Sequence, residues 1–202
     1  MRRFLLALYA VALLASPVAA APGDRAVEDV RILSADDMEG RLVGSPGGEK
    51  ARAYILGRMR EIGLVPVEQA FVFKRKDGAE MRGVNLIARI EGSTPGGKVM
   101  VITAHYDHLG VNDGQIYNGA DDNASGVAGL LAVAEAFKAA PPKHTVLIVA
   151  LDAEEGGLRG ARAFLESPPV AAEAIALNIN FDMLAKNAKG ELWLNAKASR
   201  FT

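Results

Sequence analysis

The sequence contains no cysteine among its 202 residues. Without a thiol, the chain cannot form a disulfide framework, use a cysteine nucleophile or bind a metal ion through sulfur. It also lacks a cationic surplus, because 23 basic and 24 acidic side chains leave a formal net charge of −1. We therefore expect no nucleic-acid partner. Half of the residues are hydrophobic, which excludes a disordered chain, and the length suits one domain.

The first 20 residues have the layout of a secretory signal peptide. Arg2 and Arg3 form a positive start, an apolar run follows over residues 4–14, and small residues occupy positions 16–20. A membrane anchor is the alternative, but the apolar run is too short to span a bilayer as a helix. We predict cleavage after Ala20, a periplasmic or secreted protein without stable membrane insertion, and one domain over residues 21–202.

Hydrophobic spacing predicts alternating helices and strands in that domain. Helical spacing marks four segments, Asp24–Leu33, Glu49–Ile62, Ala124–Ala139 and Leu158–Leu165. Strands are predicted at Val67–Lys74, Met81–Ile90, Val99–Ala104, Thr145–Leu151, Ala176–Phe181 and Glu191–Asn195. The first two strands flank an Asp-Gly turn, and the next three are apolar runs typical of buried strands. This order predicts a three-layer α/β/α sandwich with a mixed, mainly parallel sheet.

Acidic residues and a histidine collect where the predicted buried strands end. They are His105 and Asp107 after the first, Glu154 and Glu155 after the second, and Asp182 after the third. A further segment, 119–126, carries Asp121 and Asp122 into the next helix. Because ligands bind at the carboxyl ends of the strands in open α/β sheets, these four segments predict one site.

Such a group of acids predicts a metal site. Carboxylates that crowd together near a buried sheet edge repel one another and lose hydration, and a divalent cation offsets both costs. One imidazole among carboxylates suits zinc, and the surplus of acids suggests two ions bridged by a carboxylate. Asp107 can accept the second ring N–H of His105. Of the adjacent Glu154 and Glu155, one can bind metal while the other takes a proton from water.

These motifs together resemble the co-catalytic di-zinc aminopeptidase family, which bacterial secreted leucyl aminopeptidases typify. Glutamate carboxypeptidase and the transferrin receptor ectodomain are relatives in that family. The matching segments are His105-x-Asp107, 119–126, Glu154-Glu155 and 180–183, with Met38–Arg41 and 83–87 before them. They follow the family order over nearly the whole mature chain, so the resemblance implies the zinc exopeptidase fold.

The resemblance implies metal-binding roles for four residues. His105 and Asp182 bind the first zinc ion, Glu155 binds the second, and Asp122 bridges the two. In the family the peptide bond after the bridging aspartate is often cis, so we expect a cis bond between Asp122 and Asn123.

The resemblance also implies the reaction, which is removal of N-terminal amino acids from peptides. Glu154 is the general base in this scheme, and Asp107 orients His105. Water activated by zinc attacks the scissile carbonyl, and Glu154 passes the proton to the leaving amine. This predicts a metallo-aminopeptidase with a peptide substrate and two Zn²⁺ ions in a complete domain.

The family pattern includes a fifth ligand, a histidine well downstream of Asp182. The three histidines of this sequence are His105, His108 and His144. His144 precedes a strand at the end opposite the site, and His108 does not match a ligand position. We therefore expect an incomplete domain that corresponds to about the N-terminal two-thirds of a family domain. Its activity alone is expected to be weak or absent.

Two other functions remain open, together with glutaminyl cyclisation as a remote option. The first is a different amidohydrolase or a carboxypeptidase. Such relatives usually carry a separate domain between their metal ligands, and the segment from His105 to Asp182 is too short to contain one. The second is a non-catalytic binding module. The presence of Glu154 argues against this function, and the missing histidine argues for it.

Structural roles are expected for four further residues. Asp121 is expected in a turn, Asp152 in a hydrogen bond to the backbone, and Tyr106 and Trp193 in packing.

Export of the protein tests the signal-peptide prediction. Signal peptidase is expected to cut after Ala20, so the exported protein should begin at Ala21. N-terminal sequencing of the exported product measures this directly. An exported product that still begins at Met1 would contradict the prediction.

Overall fold

A computed structural model describes residues 22–94, 96–185 and 189. The predicted signal peptide, the strand predicted at Glu191–Asn195 and Trp193 lie outside these residues. Among the described residues, no helix combines the length and the apolar character needed to cross a bilayer.

Four helices and seven strands make up this part of the chain. The helices are α1 (Pro22–Leu33), α2 (Pro46–Glu61), α3 (Gly126–Ala139) and α4 (Arg159–Glu166). The strands are β1 (Val67–Lys74), β2 (Glu80–Ile90), β3 (Val99–His105), β4 (Gly110–Asn112), β5 (Gln115–Tyr117), β6 (Thr145–Leu151) and β7 (Ile175–Asn180). Short helical turns lie at Asp36–Arg41, Ala120–Ser125 and Ala172–Ala174. The small β4–β5 hairpin is the one pair of described strands without a counterpart in the sequence prediction.

Five strands form a mixed sheet in the order β1-β2-β6-β3-β7. β3 pairs in parallel with both β6 and β7, while β2 is antiparallel to β6 and to β1. Among these five strands β2 therefore runs against the other four. The predicted mixed sheet, with its antiparallel hairpin at one edge, is confirmed.

The two faces of the sheet bury separate hydrophobic clusters. Along β6, Ile148 and its alternate neighbours pack in a cluster with residues of α1, α2 and α3. Leu147 and Val149 point the other way and pack in a cluster with Phe164 of α4. Alternation of side chains across a strand thus produces helices on both faces, which confirms the three-layer α/β/α sandwich.

The start of α2 fixes the turn at Asp36–Arg41 beneath the site. The Ser45 hydroxyl accepts a hydrogen bond from the Gly48 N–H at 3.1 Å, which caps the helix. A Cβ at Gly47 would overlap the carbonyl oxygen of Met38, so the turn and the helix approach closely only because this residue is glycine.

The sequence predicts a third buried strand at Ala176–Phe181. The strand is present, but the prediction that it is buried is wrong. Strand β7 forms there, but most of its residues are exposed, and Leu177 is 51% exposed. Among the described residues β7 is an edge strand that pairs with β3 alone. An apolar run identifies a strand, whereas its burial depends on what tertiary contacts cover it.

Core packing at the centre of the sheet gives a stability prediction. Ile148 is fully buried, so Ile148→Ala is expected to lower the free energy of unfolding by about 2–5 kcal/mol through lost contacts and a cavity. Val27 is 70% exposed on α1, and Val27→Ala is the control, with an expected change within about 0.5 kcal/mol. Urea unfolding of the two variants measures this, and equal effects would contradict the assigned core.

Candidate metal centre

The last residue of β3 is at the centre of the predicted site. His105 is 3% exposed, and its Nε2 lies 3.2 Å from Asp122 Oδ1 and 3.6 Å from Asp182 Oδ1. Ligands of a tetrahedral zinc ion are separated by about 3.3 Å, since each lies about 2.0–2.2 Å from the metal. This cluster of one imidazole and two carboxylates therefore fits an ion. The Asp122–Asn123 peptide bond is cis, as expected.

A second cluster shares Asp122 with the first. Its members are His108, Asp122 and Glu155, and their ligand atoms all lie within 4.8 Å of one another. His108 is not among the predicted ligands, yet its Nδ1 lies 2.7 Å from Glu155 Oε1. Its position three residues after His105, in the segment that leaves the same strand, is the signal that could have identified it. With Asp122 common to both clusters, the donor set fits two bridged ions.

Asn123 joins the segment that carries Asp122 to the end of β7. Its side-chain N–H donates to the carbonyl oxygen of Phe181 at 2.9 Å, and its Oδ1 accepts the N–H of Met183 at 3.2 Å. The same oxygen accepts the N–H of Gly126 at the start of α3. Because Phe181 and Met183 flank Asp182, this buried amide fixes two of the predicted ligands relative to each other.

Asp107 connects the end of β3 to the segment after β6. Its carboxylate accepts the backbone N–H of Glu154 at 2.9 Å and that of Glu155 at 3.2 Å. His105 Nδ1 lies 3.6 Å from the Asp107 carboxylate and 3.2 Å from its carbonyl oxygen. A separation of 3.6 Å exceeds a hydrogen bond, so the carbonyl is the nearer partner of the ring here.

Glu154 and His105 line the same cavity, together with Asp182. The cavity measures about 560 Å³, and its walls are mostly apolar, with Leu151, Phe164 and Ile175 among them. Burial raises the pKa of Glu154, as do its acidic neighbours, while His105 opposes the rise. Burial lowers the pKa of His105, but the charges of Asp107, Glu154 and Asp182 outweigh it and raise this pKa to about 9.

Arg41 is a buried cation beneath the acidic residues. Its guanidinium donates to the carbonyl oxygens of Leu33, Tyr106, Asn118 and Gly119. Burial lowers its pKa to about 10, against the opposing effect of nearby acids, so it stays charged at neutral pH. Through these hydrogen bonds, the Arg41 side chain joins Tyr106, in the segment after β3, to Asn118 and Gly119, in the segment before Asp122. The sequence motif Met38–Arg41 contains this residue but does not reveal its partners.

Two neighbours have the structural roles expected from the sequence. The Asp152 carboxylate accepts the backbone N–H groups of Val84 and Ala153, both at 2.9 Å. Burial raises the pKa of Asp152 to about 6. Tyr106 is 2% exposed, and its hydroxyl donates to the carbonyl oxygen of Val84 at 2.8 Å. Both side chains hold β2 against the ends of β3 and β6.

The family of the chain follows from a match over more than half of its length. Residues 85–201 match the model of Peptidase family M28. The chain belongs to this family, which confirms the predicted resemblance to zinc aminopeptidases.

Three similar proteins each match most of this chain. The chain, in turn, covers only part of the length of each of them. The alkaline phosphatase isozyme conversion protein of Escherichia coli is 28% identical over 162 residues, which are 72% of this chain and 46% of that protein. A Zn-dependent exopeptidase structure from Parabacteroides distasonis has a TM-score of 0.69 at 21% identity. The glutaminyl cyclase structure of Porphyromonas gingivalis has a TM-score of 0.71 at 24% identity. Each structure matches 80% of this chain, which spans 61% and 60% of the two neighbours.

Removal of the buried guanidinium tests the role of Arg41. Arg41→Met leaves four backbone carbonyls without their donor, so the free energy of unfolding should fall by at least about 3 kcal/mol. Arg162 is exposed on α4, and Arg162→Met is the matched control, with an expected change below about 0.5 kcal/mol. Denaturant unfolding of the metal-free proteins measures the difference. Equal stabilities would show that the carbonyls do not depend on Arg41.

Proposed function

We propose that the chain is part of a secreted zinc-dependent exopeptidase that removes N-terminal amino acids from peptides. On this proposal, residues 21–202 form about the N-terminal two-thirds of the catalytic domain. The observation that carries the proposal is the pair of histidine–carboxylate clusters that share Asp122 at the carboxyl end of the sheet.

Four predicted ligands would hold the metal. His105, Asp122 and Asp182 would bind one zinc ion, and Asp122 and Glu155 would bind the other. When bound, zinc supplies Lewis-acid stabilisation of a carbonyl oxygen and lowers the pKa of water. Support comes from the fit of nitrogen and carboxylate oxygen donors to zinc and from their separations.

Glu154 is proposed as the group that moves the proton. Water adds to the scissile carbonyl carbon while Glu154 accepts its proton, and the C–N bond then breaks as Glu154 gives that proton to the amine nitrogen. Two observations support this role: its side chain lines the cavity beside His105, and Asp107 holds its backbone N–H. Asp107 in turn would keep His105 and Glu154 in one arrangement.

The charge of the cavity favours the amino end of a peptide over the carboxyl end. Glu154 and Asp182 line it, and none of its described lining residues is a lysine or an arginine. A carboxypeptidase needs a cationic side chain for the substrate's terminal carboxylate, and the described lining of the cavity does not supply one. The apolar walls around Phe164 suit a hydrophobic side chain on the first amino acid.

Glutaminyl cyclisation is the second candidate, because a structure of a glutaminyl cyclase shares this fold. Hydrolysis of aminoacyl-nitroanilides, compared with ring closure of glutaminyl peptides and hydrolysis of N-acyl amino acids, separates the three reactions. If the zinc-loaded chain turns over none of the three, these three reactions are excluded for this chain by itself.

Glu154→Gln tests the proton-transfer role. The variant keeps the shape of the side chain but cannot accept a proton, so turnover of an aminoacyl-nitroanilide should fall at least about 100-fold while zinc content stays the same. Glu166 is an exposed glutamate at the end of α4, and Glu166→Gln is the control with unchanged turnover. Steady-state kinetics and elemental analysis measure both quantities. A Glu154→Gln protein with full activity would refute the assignment.

A further inference from the structure

Strand β1 forms one edge of the five-stranded sheet, and β2 is its only neighbouring strand among the described residues. The two strands pair over all eight residues of β1, Val67–Lys74, without a shift in register. Val67 is 63% exposed and Val72 is 62% exposed. Natural edge strands are often protected by a bulge or a proline, because an open edge is a template for pairing with another strand. β1 has neither of these protections.

The turn after β1 shows which of its backbone groups point outward. The N–H of Arg75 donates to the carbonyl oxygen of Ala79 at 2.9 Å, so these two residues form a hydrogen-bonded pair that continues the β1–β2 register. Because such pairs alternate along an antiparallel ladder, the odd-numbered residues of β1 bond to β2. The even-numbered residues therefore direct their N–H and C=O groups to the open edge, and they are Glu68, Ala70, Val72 and Lys74.

The partners of Val84 on β2 agree with this assignment. Val84 lies opposite Ala70, yet its N–H donates to Asp152 and its carbonyl oxygen accepts from Tyr106, both on the side of β6. Ala70 consequently has no bond to Val84. None of the outward backbone groups of β1 has a backbone partner in another described segment.

Two copies of β1 can pair antiparallel in one register that uses every outward group. In this register Glu68 lies opposite Lys74 of a second copy, and Ala70 lies opposite Val72. All four outward residues of each copy then form hydrogen-bonded pairs. A shift in either direction leaves at least one of them unpaired.

Charge favours the same register. The even-numbered side chains of β1 share one face, so each Glu68 carboxylate would lie beside a Lys74 ammonium of the other copy. The exposed Ala70 and Val72 would pack between these two ion pairs. A register centred on Glu68 or on Lys74 would instead place like charges opposite each other.

We propose that the chain forms a symmetric homodimer in which two β1 strands pair in this register. The sheets of the two copies then form one continuous sheet. β2 separates β1 from β6, so the contact lies away from the metal-binding side chains and does not depend on the proposed function. A contact between two strands is smaller than a standard interface, so we expect a weak dimer with a dissociation constant in the micromolar range.

Charge exchange tests the register. Glu68→Lys turns two attractive contacts of the dimer into two repulsive ones, and so does Lys74→Glu. Each single variant should raise the dissociation constant at least about tenfold, whereas the double variant should restore the value of the unchanged chain. Lys138 is exposed on α3, and Lys138→Glu is the control that changes the same charge without an effect on the dimer.

Sedimentation velocity of the exported protein over a range of concentrations measures these constants. Residues 68 and 74 of one copy are about 20 Å apart along the strand, so they cannot contact each other within a chain. Each has a neighbour of opposite charge in its own chain, Arg52 for Glu68 and Glu80 for Lys74. Exchange within a single copy disturbs both neighbours, and only pairing between copies explains a restored dimer.

A cysteine at Phe71 gives a second test. Phe71 would face its own counterpart in a pair without hydrogen bonds, where the two Cα atoms lie about 4.5 Å apart, a separation that a disulfide can bridge. Because the sequence contains no cysteine, Phe71→Cys can cross-link only to a second copy. Mild oxidation should give a disulfide dimer of this variant and none of the control Lys138→Cys. If Phe71→Cys does not fold, the charge exchange decides the question.

Three results would overturn the proposal. They are an unchanged chain that stays monomeric at millimolar concentration, single exchanges that dimerise as well as the unchanged chain, and a double exchange that dimerises no better than the single ones. Loss of the dimer in the single variants and its return in the double variant would support both the β1 contact and its register.

Discussion

Mutual repulsion of carboxylates at one sheet edge is the constraint on which this structure depends. Asp107, Glu155 and Asp182 come from three segments, and the charges of all three act on Glu154 and raise its pKa together with burial. Such a group is stable only with positive charge nearby. The guanidinium of Arg41 supplies one such charge from below, since it is buried and remains protonated at neutral pH. The open side of the clusters is where metal ions would supply the rest.

Hydrogen bonds to the backbone, more than contacts between the acids, set the geometry of the site. Asp107 holds the N–H groups of Glu154 and Glu155, and Asn123 holds the residues on either side of Asp182. These bonds place ligands from different segments within a few ångströms of one another before an ion binds. Preorganisation of this kind reduces the cost of metal binding, and bound metal in turn stabilises the fold.

Much of the fold could be predicted because each strand or helix depends on nearby residues. The apolar runs of β3 and β6 and the Asp-Gly turn between β1 and β2 identify those elements within a residue or two. The small β4–β5 hairpin was not predicted, because its strands have three residues each and too little alternation to detect. The exposure of β7 could not be predicted either, because the burial of a strand depends on which other elements of the fold cover it.

The sequence by itself determined that His105 lies at the end of one buried strand and that Glu154 and Glu155 follow another. Residues such as His105 and Glu154 follow apolar runs, and parallel strands bring their carboxyl ends to one edge. Only the tertiary structure decided which donors share a cluster. His108 and Glu155 are 47 residues apart in the chain, and they meet because β3 and β6 are neighbours in the sheet and Gly119 leaves room for the ring. Side-chain direction in a loop depends on such contacts, which no local pattern encodes.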